Sequence, residues 1–375
     1  MSTIIVYIFL AYFVFLITLV IGWKRVVKQD YSVGWPDDGP LISIIIPARN
    51  EEAGIGDLLD DISRQEHRNF QVIVVDDHSD DNTFDVASRH AHSDSRFRII
   101  KSEGIGKKEA LRRGIEAAAG SIIITTDADC RVNEKWVGGL TRYFYADWVK
   151  MVFGPVKLKG DGLFAEIQSL EFVSVVGAGA AASGLGVPFI CNGANLAFRK
   201  SVFEAVDGYL GNLHIPSGDD EFLMRKVLKQ FPGGVIFSAD VNTVVTTLPK
   251  DSLKDFVQQR IRWAGKWNIQ PSFSTVATAM LVFFFQVFFM SFPVLYFKHW
   301  VSLELGLLLV AGKFLIEFLF LSSVANHLQT SWNWLAFILL QLIYPLYAVA
   351  VGLMSNFSPF VWKGRKSGVR TSISQ

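Results

Sequence analysis

The sequence predicts an α/β domain on a mostly parallel sheet, carried by apolar helices at both ends of the chain. Three observations predict it. Between residues 41 and 130, short runs rich in Ile and Val alternate with stretches whose apolar residues recur at helical spacing. One long apolar run opens the chain, and about three more close it. Half of the 375 residues are hydrophobic, only 19% are charged, and the mean hydropathy is positive, which is more apolar than a soluble domain. The net charge of +1 comes from 36 basic and 35 acidic residues. A nucleic-acid partner would call for a basic face, so none is expected.

The first run, "IIVYIFLAYFVFLITLVIGW" at residues 4–23, is roughly twenty uncharged residues, enough to cross a hydrocarbon core about 30 Å thick. It lacks a basic leader and a small-residue cleavage site, so it reads as an uncleaved anchor. Lys24, Arg25 and Lys28 follow at once. By the positive-inside rule they place the next segment in the cytoplasm. The polar stretch "KQDYSVGWPDDGP" then separates anchor from domain. The expected organisation is an anchor at 1–23, a linker at 24–40, a cytoplasmic domain at 41–272, a C-terminal membrane region at 273–356 and a basic tail at 357–375.

Within the domain, "LISIIIPA", "FQVIVVDD", "RFRIIKS" and "SIIITTDADC" read as strands, with helical stretches between them. Continuous β-branched runs mark strands covered on both faces, hence a parallel sheet with crossover helices. Ligands of such sheets bind beyond the carboxyl ends of the strands. The polar clusters at 47–52, 76–81 and 127–129 fall there. A dinucleotide fold would carry G-x-G-x-x-G after its first strand, and "PARNEE" stands in that place. The looser "GAGAAA" at 177–182 comes late and lacks its acidic partner. A Walker A loop fails too, with Lys101 and Lys108 where Gly and Ser or Thr belong. Cys130 and Cys191 make no disulfide framework, and His90 with His92 lacks a third metal ligand.

"SIIITTDADC" delivers two carboxylates to one strand end. Side chains at i and i+2 of an extended segment share a side, so Asp127 and Asp129 are expected together. Like charges that close call for a divalent cation with hard oxygen ligands. Further on, residues 163–190 are apolar but hold Glu166, Glu171 and many Gly and Ala, and read as a buried or interfacial helix and loop inside the domain. The closing apolar runs span about 274–297, 303–324 and 334–354. Lys313 and Glu317, four apart in the second, either pair along the helix or face a polar path. An anchor plus three simple spans leaves the tail "WKGRKSGVR" outside, whereas its charge favours the cytoplasm. The charge rule takes precedence, so one of the three runs is expected to be re-entrant or interfacial.

Six segments in order resemble the membrane-bound branch of the family 2 glycosyltransferases, with GT-A fold, which contains cellulose, chitin, hyaluronan and glucosylceramide synthases. They are "IIIPARNEE", "VVDDHSDDNT", "GKKEAL", "DAD", "GDDEFL" and "QRIRW", and the likeness covers about 42–266. The resemblance implies a nucleotide-sugar donor, most plainly UDP-linked, and a lipid or glycan acceptor. It places the protein in the lipid bilayer of a bacterial cytoplasmic membrane, with the catalytic domain in the cytoplasm. Ala48, Glu51, Asp77, Lys107 and Asp127 match the nucleotide-sugar positions, with Asp77 the base contact. Gly193, Asn195 and Asp219 match the acceptor side.

The chemistry assigns roles to these residues. A diphosphate leaving group needs positive charge at its developing oxyanions. Asp127 and Asp129 would hold Mg²⁺ or Mn²⁺ against it. An attacking hydroxyl must lose a proton, and Asp220 is the expected general base. Its block departs from the resembled pattern, with Asp219 for the usual Glu and Phe222 for the second Asp. The adjacent acids 219 and 220 suggest that one carboxyl is raised. Asp80 and Asp81 are expected to cap the next helix. Gln259, Arg262 and Trp263, at i, i+3 and i+4, share a helix face. Arg262 can fork onto diphosphate oxygens, and Trp263 offers a wall for a sugar ring. An interfacial amphipathic helix has a similar composition. One base and no second placed carboxylate imply single-step inversion. Two other readings stay open: a processive synthase-translocator, and a non-catalytic nucleotide-binding membrane protein.

Overall fold

The computed structural model describes residues 2–29, 39–213, 215, 217–265, 273–355, 360–362 and 365–367. The core of the expected linker, 30–38, the expected domain end at 266–272 and most of the basic tail lie outside the described residues. In chain order the first elements are α1 (Ser2–Lys28), β1 (Ile42–Ala48), α2 (Ile55–Ser63), β2 (Phe70–Asp76), α3 (Thr83–Ser93), β3 (Phe97–Lys101), α4 (Lys107–Ala117), β4 (Ile122–Thr125) and α5 (Trp136–Thr141). Then follow β5 (Met151–Phe153), β6 (Val156–Leu158), α6 (Leu163–Gly184), β7 (Leu196–Arg199), α7 (Lys200–Ala205), α8 (Asp219–Gln230), β8 (Val235–Phe237) and β9 (Val245–Thr247). The last helices are α9 (Leu253–Gly265), α10 (Phe273–Met290), α11 (Phe292–Phe297), α12 (Leu303–His327) and α13 (Trp334–Met354).

The chain forms two compact units. One comprises Gly22–Lys159 and Ala178–Leu248, the other Met1–Ile21, Gly160–Gly177 and Pro249–Gln375. The first is built on a seven-stranded sheet in the order β3-β2-β1-β4-β7-β5-β8. β1 pairs in parallel with β2 and β4, and β7 alone runs antiparallel to both its neighbours. The isoleucine runs do what their composition predicts: β4 is buried along its whole length, and β1 at all but one position. Ala48 lies in register with Asp76, and Ile45 with Thr125, so β1 and β2 end together beyond the point where β4 stops. The short pair β6 and β9 adds a small parallel sheet.

α4 crosses the sheet at close range. An added Cβ at Gly114 would stand 2.4 Å from Ile45 Cγ2, which explains a glycine inside this helix. The end of α1 also belongs to this unit. Trp23 is buried and its ring lies 6.5 Å from that of Phe237. A Cβ at Gly22 would stand 2.2 Å from the Ala181 carbonyl oxygen, and one at Gly184 2.1 Å from that of Gly22. α1 therefore runs on through Lys28, past the expected anchor end at 23.

The second unit is a set of apolar helices. Tyr12 and Phe285 stack at 3.6 Å. Lys313 Nζ donates to Glu317 at 2.8 Å and to Gln341 Oε1 at 2.7 Å, and the Tyr12 hydroxyl donates to Glu317 at 2.8 Å. Lys313 and Glu317 thus pair rather than line a path. Helices α1, α6, α12 and α13 are long and apolar enough to cross a membrane, and the described part of α10 is shorter. The run at 274–297 is two helices, α10 and α11, instead of one. Pro293 has no N–H for the carbonyl four residues back and its ring crowds that turn, so the helix stops near Ser291 and restarts with proline in its first turn. Residues 163–184 form one helix and 185–190 a loop, as expected, but the part of the helix up to Gly177 clusters with the apolar helices instead of the sheet unit.

Candidate active site

The site is built on the sheet unit from two zipped loops. The Asp77 amide donates to the Ala48 carbonyl at 2.8 Å, and Arg49 Nη1 donates to the carbonyls of Asp77, at 2.9 Å, and His78. Asn50, at φ 51°, adopts the left-handed conformation that Asn tolerates. Its Oδ1 accepts from the Asp80 amide at 2.9 Å. The Glu51 amide donates to Thr83 Oγ1 at 2.8 Å, so the turn that starts α2 is fixed on the start of α3. Asp80 pairs with Arg49 at 3.2 Å. Asp81 accepts from the Thr83 amide, as expected of a capping acid. Burial acts to raise the Asp81 carboxyl, and the Thr83 and Glu52 hydrogen bonds outweigh it and hold it below the ordinary value.

Asp77 is buried, and its Oδ1 accepts from the Gly106 amide at 3.0 Å. That ties the end of β2 to the start of α4. Gly106 sits at φ 103°, open to glycine and strained for other residues. The next residue, Lys107, points into an acidic cluster. Its Nζ lies 2.7 Å from Asp127 Oδ1 and 3.3 Å from Asp219 Oδ2. Burial alone would lower its pKa, but Asp127 and Asp219 reverse the effect and raise it. Asp219 answers in kind. Burial pushes its carboxyl up, Lys107 outweighs that, and the result is a lowered value. The Asp219 carboxyl is therefore lowered, not raised.

Asp219 and Asp220 begin α8, where the helix dipole favours acids. Asp220 Oδ2 accepts from the Gly193 amide at 3.0 Å, and its Oδ1 from the Glu221 amide at 2.7 Å. Gly193 itself is fixed through Thr125 Oγ1, which donates to its carbonyl at 2.9 Å. An added Cβ there would stand 2.8 Å from Asp219 Oδ2 and 3.4 Å from Lys107 Nζ, so glycine lets the backbone reach the acids. Lys107, Asp127, Gly193, Asp219 and Asp220 are thus brought together.

The two acids of "DAD" are placed differently from the expectation. β4 ends at Thr125, and the Cys130 amide donates to the Asp127 carbonyl at 3.1 Å, so residues 127–130 form a turn. Alternation along a strand does not apply there. Asp127 reaches Lys107, whereas Asp129 Oδ1 lies 3.8 Å from Cys130 Sγ. Burial, then Asp129 and Asp127, push the Cys130 thiol up. The turn is pinned behind by Arg131, whose Nε and Nη2 donate to Asp61 at 2.6 and 2.9 Å.

Asn195, expected beside an acceptor, is fully buried. Its Oδ1 accepts from Trp136 Nε1 at 3.0 Å, and its Nδ2 donates to the carbonyls of Pro155 and Thr243, each at 2.7 Å. Its carboxamide is held inside the fold rather than presented to a ligand.

The donor set fits a divalent metal ion. Three carboxylates gather around one ammonium, an excess of negative charge made of hard oxygens. Among the described residues no group of three His, Cys, Asp or Glu forms a complete cage.

Gln259, Arg262 and Trp263 lie on α9 of the helix unit, all half-buried. Between them sits Arg260, which sequence reasoning missed. It is buried, and its Nε donates to Glu171 Oε1 at 3.0 Å. The signal was Glu171 itself, an acid in an apolar helix that needed a cationic partner.

Residues 43–207 match the family described as Glycosyl transferase family 2. An N-acetylglucosaminyltransferase of Rhizobium meliloti (strain 1021) is 28% identical over 237 residues, 60% of this chain and 55% of the relative. A poly-β-1,6-N-acetyl-D-glucosamine synthase of Staphylococcus aureus (strain COL) is 23% identical over 260 residues, 67% and 60% respectively. The chain thus spans little more than half the length of these relatives. Among solved structures, the mannosyltransferase PcManGT from Pyrobaculum calidifontis, in complex with GDP-Man and Mn²⁺, superposes with a TM-score of 0.57 at 18% identity, over 95% of this chain and 99% of that one. A likeness at that identity is one of fold.

Proposed function

We infer, for a chain whose residues 43–207 form a family 2 glycosyltransferase domain of GT-A fold, that it transfers a sugar with inversion from a nucleotide donor, UDP-linked, to a hydroxyl of a lipid or glycan at the cytoplasmic face of a bacterial membrane. The observation that carries this reading is the meeting of Lys107, Asp127, Asp219 and Asp220 around the Gly193 backbone. Asp220 receives the proton of the attacking hydroxyl as its oxygen bonds to the anomeric carbon. The bond from that carbon to the diphosphate breaks, and the nucleoside diphosphate leaves. The Gly193 and Glu221 amides fix the Asp220 carboxylate in one orientation before the substrate arrives. Lys107 offers its charge to the departing diphosphate. Mg²⁺ or Mn²⁺, held by Asp127 with Asp129 in the same turn, would supply further Lewis-acid charge there. Ala48, Glu51 and Asp77 take the nucleoside. Gln259, Arg262 and Trp263 enter on their motif and chemistry, Arg262 toward diphosphate oxygens and Trp263 toward a sugar ring.

Membrane integration is supported by four helices of sufficient length and hydropathy, and by Lys24, Arg25 and Lys28 beyond the first apolar run. The test is a hydrolysis and transfer screen across nucleotide sugars with membranes that contain the protein. Activity on a UDP-sugar, lost with EDTA and restored by Mn²⁺ or Mg²⁺, is expected. Indifference to EDTA would remove the metal from this account. The similarity to the S. aureus synthase favours a second reading, polymer formation. The length of the product separates the two.

A further inference from the structure

Arg260 occupies an unassigned place inside the motif of α9 and is packed among charged, polar and aromatic partners. Its Nε donates to Glu171 Oε1 at 3.0 Å and to Oε2 at 3.2 Å, and Nη2 also reaches Oε2. Its Nη1 donates to Gln259 Oε1 at 2.5 Å. The guanidinium carbon lies 4.3 Å from the centre of the Trp263 ring and 4.6 Å from that of Phe256. Glu171 is held from a second side by the Tyr347 hydroxyl at 3.1 Å, and the Phe256 and Tyr347 rings stack at 5.4 Å. One buried cation thus touches two of the three motif side chains and is itself clamped by α6 and, through Glu171, α13.

A carboxamide has an acceptor end and a donor end. The Arg260 Nη1 bond claims the oxygen of Gln259 and so leaves its amino group as the donor end for another partner. We propose that Arg260, set by Glu171 and Tyr347, is a positioning residue. It fixes Gln259 as a hydrogen-bond donor toward an oxygen of the substrate and holds the Trp263 ring in place as the wall for a sugar. This rests on the functional reading above and adds to it the polarity of Gln259 and the device that sets it.

The test uses full-length protein in detergent, with UDP for binding and UDP-N-acetylglucosamine as the turnover probe. Gln259→Glu keeps an oxygen for Arg260, with a stronger ion pair, but removes the side-chain N–H donors. It is expected to melt no lower than wild type and to lose tenfold or more in kcat. The double substitution Glu171→Met with Arg260→Met keeps the buried volume without the charges, and replacement of a buried ion pair by apolar side chains is often neutral for stability. It is expected to fold, to bind UDP within about twofold of wild type, and to lose kcat about as far as Gln259→Glu. Full turnover in either folded variant would overturn the proposal. Wild type that neither binds UDP nor cleaves the probe would instead overturn the functional reading beneath it. Should the double variant fail to fold, Gln259→Glu decides alone.

Discussion

Lys107 Nζ stands 2.7 Å from Asp127 Oδ1, in the turn that follows β4, and makes this ammonium the counter-charge of the candidate metal ligand. The same nitrogen neutralises Asp219 at the start of α8. The pair of shifts fixes a pH window. Asp219 is lowered, so its contribution to stability is present above the unfolded carboxyl value and disappears as pH falls through the folded one. Lys107 is raised, so its contribution is whole below the unfolded lysine value and disappears as pH climbs through the folded one. Lys107→Met is therefore expected to lower the melting temperature by a constant amount between about pH 5 and 9, and by less below about pH 4. A deficit that persists at pH 3 would show that the ion pair is not its source.

Asp220→Asn keeps an oxygen for the Gly193 amide and removes the basic carboxylate. Turnover should fall by about 10² to 10⁴ with little change in UDP binding. An unchanged rate would favour a non-catalytic nucleotide-binding protein.

The clamp between Arg131 and Asp61 holds the turn that carries Asp127 and Asp129, the proposed metal ligands. Asp61 also accepts from Arg64 at 2.6 Å. Asp61→Asn weakens bonds to charged donors and should cost about 2 kcal/mol of stability. Since support behind a ligand tunes metal affinity, the Mn²⁺ dissociation constant should rise by about tenfold, measurable by the electron paramagnetic resonance of free Mn²⁺.

In the helix unit, Lys313→Met alone strands the Glu317 charge among apolar helices. A loss of about 3 kcal/mol or more is expected in detergent unfolding. Adding Glu317→Met should recover much of it. If the single and double variants melt alike, the buried charge is not what destabilises the protein.

The sequence made the sheet legible because β-branched runs such as "SIIIP", "VIVVD" and "SIIIT" have one stable home, a strand covered on both faces, and β1, β2 and β4 are that. Strand alternation is not what places Asp127 and Asp129, because it holds only while the strand lasts, and β4 stops two residues early. Asn195 was expected beside an acceptor on the strength of the resemblance alone. Its partners at Trp136, Pro155 and Thr243 lie 40 or more residues away, beyond any local pattern. Arg260 was passed over because an arginine in an amphipathic helix ordinarily faces water. Pro293 was in plain view, but a count of apolar residues is blind to a missing N–H. Five of the site residues could be placed together because their elements end at one edge of a single sheet, which order along the chain does imply.

The backbone contact of Gly22 with Ala181 and Gly184, next to buried Trp23, bears on how the catalytic portion can be isolated. Starting expression after residue 28, a customary way to obtain a water-soluble enzyme, would strip one wall from α6 and uncover the Phe237 ring. The end of the leading helix is a structural rib of the sheet unit. Preparations that retain it in a micelle or nanodisc should outlast trimmed ones.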